Sequence, residues 1–331
     1  MKLEISEHHR ERLGEMVSRL PFRNVRNVMV YIAFVVLFIV FAITLKDVGS
    51  GFASLGNLMN ILRQTSLIAI MAVGMTFVLG AGQIDLSVGS VVGVVSLVTA
   101  IVVRDYGILA GVLAGLGVGA LAGTLNGLLI SRVRLPAFLA TLGTQIIFAG
   151  ISRTMTNLRS IPITNSTYRF FFGGGSIGPI PILFVWTIVI TIIGHLALAK
   201  GKYGRRVIAT GGHPKAAFYS GINVNKIRFQ VMLVSGLLAA VAGILWAGRF
   251  GGGRYSLGEG EELSAIAAAV LGGTSIAGGK ATVLGAVIGA IMIGMINNAL
   301  ILYGLDVYQQ MIIRGIVIIL AVASTSSKSD H

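Results

Sequence analysis

Residues 200–228 read KGKYGRRVIATGGHPKAAFYSGINVNKIR and form the longest polar break in an otherwise apolar chain. The stretch contains seven basic residues and no acidic residue, and apolar segments flank it on both sides. Short loops rich in Lys and Arg stay on the cytoplasmic side of a membrane. We therefore expect residues 200–228 to be a cytoplasmic loop between two membrane-spanning helices.

The centre of this loop carries the signals of one short helix. Gly211-Gly212 breaks the chain, and Pro214 suits the first turn of a helix because its ring presets φ and needs no hydrogen-bond donor there. Residues 215–220 can continue the helix, and Gly221 can end it in a left-handed conformation. The sequence therefore predicts a short cytoplasmic helix between two spans.

The same residues resemble a known family. Lys215-Ala216-Ala217, three further residues and Gly221 are similar to the EAA–x3–G loop of ABC importer permeases, with Lys in place of the usual Glu. The loop from residue 204 to 228 is similar to that of the ribose/xylose-type sugar permeases, and the stretches 84–90, 126–144 and 269–279 fit the same family. One departure is Gln83, since the family usually has two glycines directly before the motif that starts at Ile84.

This resemblance implies a fold, partners and site residues. The fold would be an all-α integral membrane bundle of the larger importer type. ABC ATPase subunits, which would bind the ATP and Mg²⁺, would dock on the cytoplasmic loops. A periplasmic or extracellular substrate-binding protein would dock outside, and a second permease copy or a paralogue would complete a homodimer or heterodimer. The residues expected to couple to the ATPase are Arg205, Arg206, Lys215, Ala216, Ala217, Gly221 and Asn223, and those expected to meet acidic residues of the binding protein are Arg159, Arg169, Arg249 and Arg254.

Composition independently indicates a membrane protein. Of 331 residues, 55% are hydrophobic and only 11% are charged. The absence of Cys excludes disulfides and thiolate metal sites. The net charge is +14, and the basic residues responsible for it lie between apolar segments, so we interpret them as a topology signal and expect no nucleic-acid partner. We also expect no cleavable signal peptide.

About ten membrane segments are predicted, since roughly 20 apolar residues cross a bilayer as a helix. Residues 1–27 are predicted to be an amphipathic cytoplasmic segment, 28–324 the transmembrane domain and 325–331 a cytoplasmic tail. The eighth segment is too short to span upright, which favours a broken or re-entrant segment. The ten segments are 28–45, 63–81, 86–103, 107–130, 137–155, 181–199, 228–248, 261–273, 282–302 and 309–324.

The basic residues predict the orientation. With both termini in the cytoplasm, 18 of the 26 Lys and Arg residues fall on the inner side. That bias follows the positive-inside rule and requires an even number of crossings. We therefore expect a multi-pass protein of the bacterial inner membrane with both termini cytoplasmic.

Two glycine patterns predict close helix packing. A glycine recurs at every fourth position from Gly111 to Gly127, and Ala281, Gly285 and Gly289 repeat that spacing. A stripe of small residues lets two helix backbones approach each other. A substrate groove along the stripe is the less favoured interpretation, because glycine offers a sugar no side-chain hydrogen bond.

Polar residues inside apolar segments are candidates for a substrate path. Asp85 is the only acid near the centre of a predicted span, and it can either cap the next helix or line a path. Buried amides and hydroxyls need partners, which other helices or a passing sugar could supply. The candidate path residues are Gln83, Asp85, Ser87, Asn126, Thr141, Gln145, Asn297 and Asn298.

Sequence features argue against catalysis by this chain. Thr274–Ala281 resembles a phosphate-binding loop, but it lacks the first Gly and the final Ser/Thr, and no other Walker-type site occurs. The five His residues have no metal-ligand spacing.

We expect a permease for a monosaccharide such as a ribose-like pentose, with no catalytic residue, no metal and no cofactor of its own. The alternatives are a nucleoside or branched-chain amino acid cargo, or a stand-alone secondary transporter.

Overall fold

A computed structural model describes residues 25–49 and 51–326. Most of the predicted amphipathic segment 1–27, and the tail from residue 327 on, lie outside the described residues. In chain order, the α-helices are α1 Val25–Thr44, α2 Leu55–Gly80, α3 Val88–Tyr106, α4 Ile108–Ser131, α5 Ala137–Met155, α6 Ser166–Arg169, α7 Ile182–His195, α8 Lys202–Gly212, α9 Pro214–Tyr219, α10 Val224–Phe250, α11 Glu261–Leu271, α12 Val283–Leu302 and α13 Val307–Ser326. Two π-helical turns, Phe170–Gly174 and Leu196–Lys200, accompany four strands, β1 Ile161–Pro162, β2 Ser176–Ile177, β3 Ile180–Pro181 and β4 Gly252–Gly253.

The described helices include six that are long and apolar enough to cross a membrane. They are α2, α3, α4, α7 with the π-helical turn that follows it, α10 and α12. Shorter apolar stretches lie in α1 (Val30–Thr44) and α13 (Val307–Ile319). The predicted helical membrane architecture is confirmed in its coarser form, since the described residues are mostly helical and include helices long and apolar enough to cross a membrane, whereas ten crossings stay a prediction.

Helix α2 differs most from its predicted bounds. It begins at Leu55 instead of residue 63, because Ser54 caps it by accepting a hydrogen bond from the Asn57 amide at 3.3 Å. The added turns place Arg63 inside the helix, whereas the predicted segment began at that residue. The predicted span was too short there because polar residues near the start of α2 lower the local hydropathy.

Helix α10 lies at the centre of the bundle, packed against α2, α3 and α4. The glycine stripe of α4 faces it. A Cβ at Gly119 would collide with Ala240 and with the Gly236 carbonyl, and a Cβ at Gly123 would collide with the backbone at residues 232–233. The second stripe packs in the same way, with Gly285 against Gly272. The prediction that both stripes serve helix packing is confirmed.

After α10 the chain folds back along α3 before α11 begins. The Ser96 hydroxyl donates a hydrogen bond to the Arg254 carbonyl at 3.1 Å and accepts one from the Arg254 amide at 3.2 Å. Further along, Gly258 lies against Gly89 and Val92 of α3. Helix α11 therefore starts inside the bundle and has 11 residues, as expected for a broken segment.

Candidate functional site

Helix α8 packs one face against the helical bundle and exposes charged side chains on its other face. Gly204, Val207 and Gly211 are buried, whereas Arg205 and Arg206 are exposed. The Tyr203 ring stacks on Phe77 of α2 with centroids 6.0 Å apart. Burial raises the pKa of the Tyr203 phenol above its ordinary value, so this anchoring side chain stays neutral.

The end of α8 also contacts two other turns of the bundle. A Cβ at Gly211 would collide with the Gly80 carbonyl at the end of α2 and would lie 2.9 Å from the Gly279 amide. That Gly279 amide donates a hydrogen bond to the Gly80 carbonyl at 3.1 Å. The backbones of α8, α2 and the turn before α12 therefore meet at one point.

The predicted short helix is confirmed as α9, with Pro214 at its first position. Gly221 has φ of +80°, which is the left-handed conformation expected for the residue that ends a helix. Beyond it, Asn223 caps α10 by accepting a hydrogen bond from the Lys226 amide at 2.9 Å. The loop thus contains a short helix that begins at Pro214 and ends at Gly221, followed by the capped start of α10.

The surface of α9 exposes two of the predicted coupling residues together with two aromatic residues that the sequence analysis missed. Lys215 and Ala216 are exposed, but Ala217 faces inward with 4% of its surface accessible. Phe218 and Tyr219 were not selected from the sequence, yet they are 65% and 86% exposed. Two adjacent aromatic residues on a polar loop were the available signal, since exposed aromatic side chains often anchor protein interfaces.

Asp85 lies in a buried polar network between helices. Its Oδ1 accepts hydrogen bonds from the Ser87 amide at 2.9 Å and the Ser87 hydroxyl at 2.7 Å. Its Oδ2 accepts one from the Ser235 hydroxyl of α10 at 2.8 Å. Asp85 therefore holds the turn just before α3, but the amide it accepts from belongs to Ser87, the N-cap residue, so neither Asp85 nor Ser87 caps the first amides of α3 as the capping hypothesis expected.

The network continues through α4 into α5. The Asn126 amide donates to the Ser87 hydroxyl at 2.7 Å, and the Thr144 hydroxyl donates to Asn126 Oδ1 at 2.7 Å. Thr141 donates to the Ile84 carbonyl at 3.2 Å. The structure thus brings together Asp85, Ser87, Asn126 and Thr141 from the predicted path residues, all buried.

The other predicted path residues lie elsewhere. Asn298 and Asn57 exchange two side-chain hydrogen bonds of 2.9 Å. Asn297 lines a different small cavity beside Arg314. Gln83 donates at 2.7 Å to the Gly82 carbonyl within its own turn. A path through the whole predicted set stays a prediction.

Gln145 identifies a second site, which the sequence analysis missed. Its amide donates a hydrogen bond to Glu262 Oε1 at 3.0 Å, and Glu262 is only 6% exposed. Asp85 was the only acid expected near the centre of a span, and Glu262, at the second position of α11, is a further buried acid that this expectation did not cover. Glu262 is buried because the chain folds back along α3 before α11 starts, a feature that hydropathy does not predict.

The four predicted docking arginines meet at one end of the molecule. Strand β1 pairs antiparallel with β4, with Ile161 opposite Gly253, so the loops after α5 and α10 adjoin. Arg159 and Arg254 directly flank these strands, and Arg169 lies against Gly251. Arg249 is half-buried and donates to the Arg63 carbonyl at 3.4 Å, whereas the other three are exposed.

Within the described residues, no group of three or more His, Cys, Asp or Glu side chains has an arrangement that could hold a metal ion. Near Gln145, Arg153 pairs with Glu259, and Glu262 accepts an amide hydrogen bond.

Comparison with known proteins agrees with the resemblance seen at Lys215–Gly221. The chain is 39% identical over 275 residues to the ribose import permease protein RbsC of Bacillus subtilis (strain 168), covering 82% of this chain and 85% of that protein. It is 39% identical over 284 residues to RbsC of Escherichia coli (strain K12), covering 84% and 88%. It is 34% identical over 296 residues to the D-allose transport system permease protein AlsC of Escherichia coli (strain K12), covering 88% and 90%.

None of the solved structures matches this chain. A family profile described as the permease component of the branched-chain amino acid transport system matches residues 57–322. With most of the chain covered by that profile, the protein belongs to this family of transport-system permease components.

Proposed function

We propose that this chain is the membrane-spanning permease subunit of an ABC importer for a monosaccharide, such as a ribose-like pentose. The observation that carries the proposal is 39% identity to ribose import permeases over 82% and 84% of the chain. The exposed short helix α9 agrees with it, because an importer permease needs a cytoplasmic element that an ATPase can engage. The protein lies in the bacterial plasma membrane with both termini cytoplasmic.

ATP hydrolysis is assigned to partner subunits, which bind ATP and Mg²⁺ themselves. Helices α9 and α8 transmit the motion of these ATPase subunits to the membrane helices. Since Gly211 of α8 packs on Gly80 and Gly279, a displacement of α8 moves the end of α2 and the turn before α12 together. Such a concerted shift is what alternating access requires.

A second permease copy or a paralogue completes the membrane unit, and a substrate-binding protein docks on the opposite end. The arginines around β1 and β4 suit that role, since Arg pairs well with carboxylates. A branched-chain amino acid or nucleoside cargo is the alternative within the same machine. The relatives named for ribose and D-allose favour a sugar.

Uptake of radiolabelled D-ribose, D-allose and L-leucine by cells expressing the complete importer tests the proposal. We expect sugar uptake that stops when the ATPase is inactivated in its Walker motif. Uptake of L-leucine alone would contradict the sugar assignment. Sugar uptake that survives ATPase inactivation would favour a secondary transporter.

Co-purification tests the cytoplasmic docking surface. We expect Phe218→Ala to reduce the ATPase recovered with the permease several-fold, because a large exposed aromatic anchor is lost. Tyr106→Ala is the matched control, since Tyr106 is also highly exposed but ends α3 far from α9. Equal recovery of the ATPase with both variants would place the docking surface elsewhere.

A further inference from the structure

A cavity of about 350 Å³ lies between α3, α5, α11 and the segment that folds back along α3. Its volume falls within the range of roughly 300–1,000 Å³ typical of small-molecule sites. Its polar lining comes from Ser90, Gln145, Arg153, Tyr255, Glu259 and Glu262. The cavity is separate from the Asp85 network and was not predicted from the sequence.

Two of the three charges in this cavity already neutralise each other. Arg153 Nη2 lies 2.8 Å from Glu259 Oε1. The Arg153 guanidinium also lies over the Tyr255 ring, 5.5 Å from its centroid. This pair offers little to an ionic ligand, because both charges have partners.

Glu262 is different because half of its carboxylate has no hydrogen-bond partner. Gln145 donates to Oε1 at 3.0 Å, whereas Oε2 is buried and unpartnered. The backbone amides of Gly260 and of Glu262 itself lie near this carboxylate, but neither makes a hydrogen bond with Oε2. A buried polar atom without a partner destabilises a protein, so its presence suggests that a donor reaches it in another state.

Gly89 makes the room that this carboxylate occupies. A Cβ at position 89 would collide with Glu262 Oε2 and with the Gly258 carbonyl. Gly89 and Glu262 both line the cavity, so this carboxylate lies at the cavity wall.

We propose that this cavity binds a neutral polyhydroxylated ligand in transit, with one ligand hydroxyl donating to Glu262 Oε2 while Gln145 holds Oε1. The inference rests on the proposed function and adds the place where the sugar is held. A zwitterionic amino acid fits less well, because its carboxylate would need Arg153, which is paired with Glu259. A neutral sugar needs only hydrogen-bond acceptors and donors and no unpaired positive charge.

Cysteine protection tests the cavity directly, since the natural chain contains no Cys and a single substitution gives a unique thiol. In the complete importer, Ser90→Cys places that thiol in the cavity, and Ser256→Cys is the control at an exposed position outside the cavity, on the segment that folds back along α3. We expect saturating D-ribose to slow the reaction of Ser90→Cys with a water-soluble methanethiosulfonate several-fold. L-leucine should not slow it, and Ser256→Cys should react equally with either.

Kinetics of uptake provide the second measurement. Glu262→Gln removes the negative charge and replaces one carboxylate oxygen by an NH2 group that cannot accept a hydrogen bond. We therefore expect the KM for D-ribose uptake to rise about ten-fold, the size expected for one hydrogen bond to a charged group. Glu261→Gln is the matched control, because Glu261 faces Arg314 at 3.8 Å rather than the cavity. ATPase recovery should be unchanged in both.

The two proposals fail separately. If the wild type imports sugar but D-ribose protects neither cysteine and Glu262→Gln keeps its KM, the cavity proposal is overturned and the permease assignment stands. Protection of Ser90→Cys by L-leucine and not by D-ribose would overturn the ligand class. Absence of sugar uptake by the wild type would contradict the proposed function itself.

Discussion

At the scale of single residues, Asp85 shows how a buried acid can stabilise a bundle. Three donors, from Ser87 and Ser235, satisfy its two oxygens, and Ser87 in turn accepts from Asn126. A buried carboxylate is tolerated only when it is hydrogen-bonded in this way. The network fixes the turn before α3 relative to α4 and α10.

We expect Asp85→Asn to retain most of the thermal stability and Asp85→Ala to lose it. An Asn oxygen can accept from Ser87, and its amide can donate to the Ser235 hydroxyl, which can reverse its role. Alanine leaves buried donors unpartnered, at a cost of about 1–3 kcal/mol. The melting temperature of the purified permease in detergent is the measurement. Equal loss in both variants would show that the charge itself is needed.

At the scale of elements, the glycine stripe of α4 decides how closely α10 can approach. At Gly119 and Gly123 the obstacles to a Cβ include backbone atoms of α10, which cannot move aside as a side-chain end can. Gly117 lies on the opposite face of the same helix, where a Cβ would meet nothing within 4 Å. One helix thus contains both a packed glycine and an unconstrained one.

We expect Gly119→Ala to destabilise the permease by about 1–3 kcal/mol through overpacking. Gly117→Ala should be neutral or slightly stabilising, because alanine costs less conformational entropy in a helix than glycine. The yield of folded protein and its melting temperature distinguish the two. Similar behaviour of both variants would mean that α4 and α10 separate easily.

The end of α9 is governed by backbone conformation alone. Gly221 has φ of +80°, and a Cβ there would meet nothing within 4 Å. A β-branched residue at such a position is strained, by about 1–2 kcal/mol, whereas Asn adopts it more readily. The conformation, and not the space, makes this position a glycine.

We therefore expect Gly221→Val to weaken sugar uptake and ATPase recovery together, while Gly221→Asn keeps most of both. Membrane insertion should be unchanged, because the substitution lies in the cytoplasmic loop. The amount of permease in the membrane fraction is the control. Full uptake by Gly221→Val would remove α9 from the coupling pathway.

At the scale of the whole molecule, the short β1–β4 pair gathers positive charge at the end of the bundle opposite α9. Arg254 is exposed there, and both it and Arg249 lie over the Phe250 ring, 5.9 and 5.4 Å from its centroid. Arg249 is partly committed to the Arg63 carbonyl at 3.4 Å. Arg254 is therefore the better position at which to test docking of a binding protein, because replacing Arg249 would also remove its hydrogen bond to the Arg63 carbonyl.

We expect Arg254→Glu to lower the stimulation of ATP hydrolysis by the binding protein more than Arg254→Ala does. Exposed ion pairs contribute only about 0–1 kcal/mol each, but charge complementarity raises the association rate. The effect should shrink as salt is added. Arg104→Glu is the control, since Arg104 is exposed but pairs with Asp105 at 2.8 Å on α3. Full stimulation of Arg254→Glu at low salt would exclude this surface.

Composition and spacing were sufficient to determine the helical membrane architecture, the close packing of the glycine stripe and the short helix α9. These features depend on local properties: apolar length, a repeat every four residues, and the preferences of Pro and Gly for particular φ values. Asp85 was also recognisable, because a lone acid between two apolar runs stands out in sequence.

Only the tertiary structure decided what each polar group touches. Asn298 pairs with Asn57, which is 241 positions away along the chain, and Gln145 pairs with Glu262 across 117. Glu262 reads as part of a charged loop, yet the return of the chain along α3 buries it. Hydropathy is a property of a segment, whereas burial and hydrogen bonding depend on which segments meet, so the cavity at Glu262 follows from the fold alone.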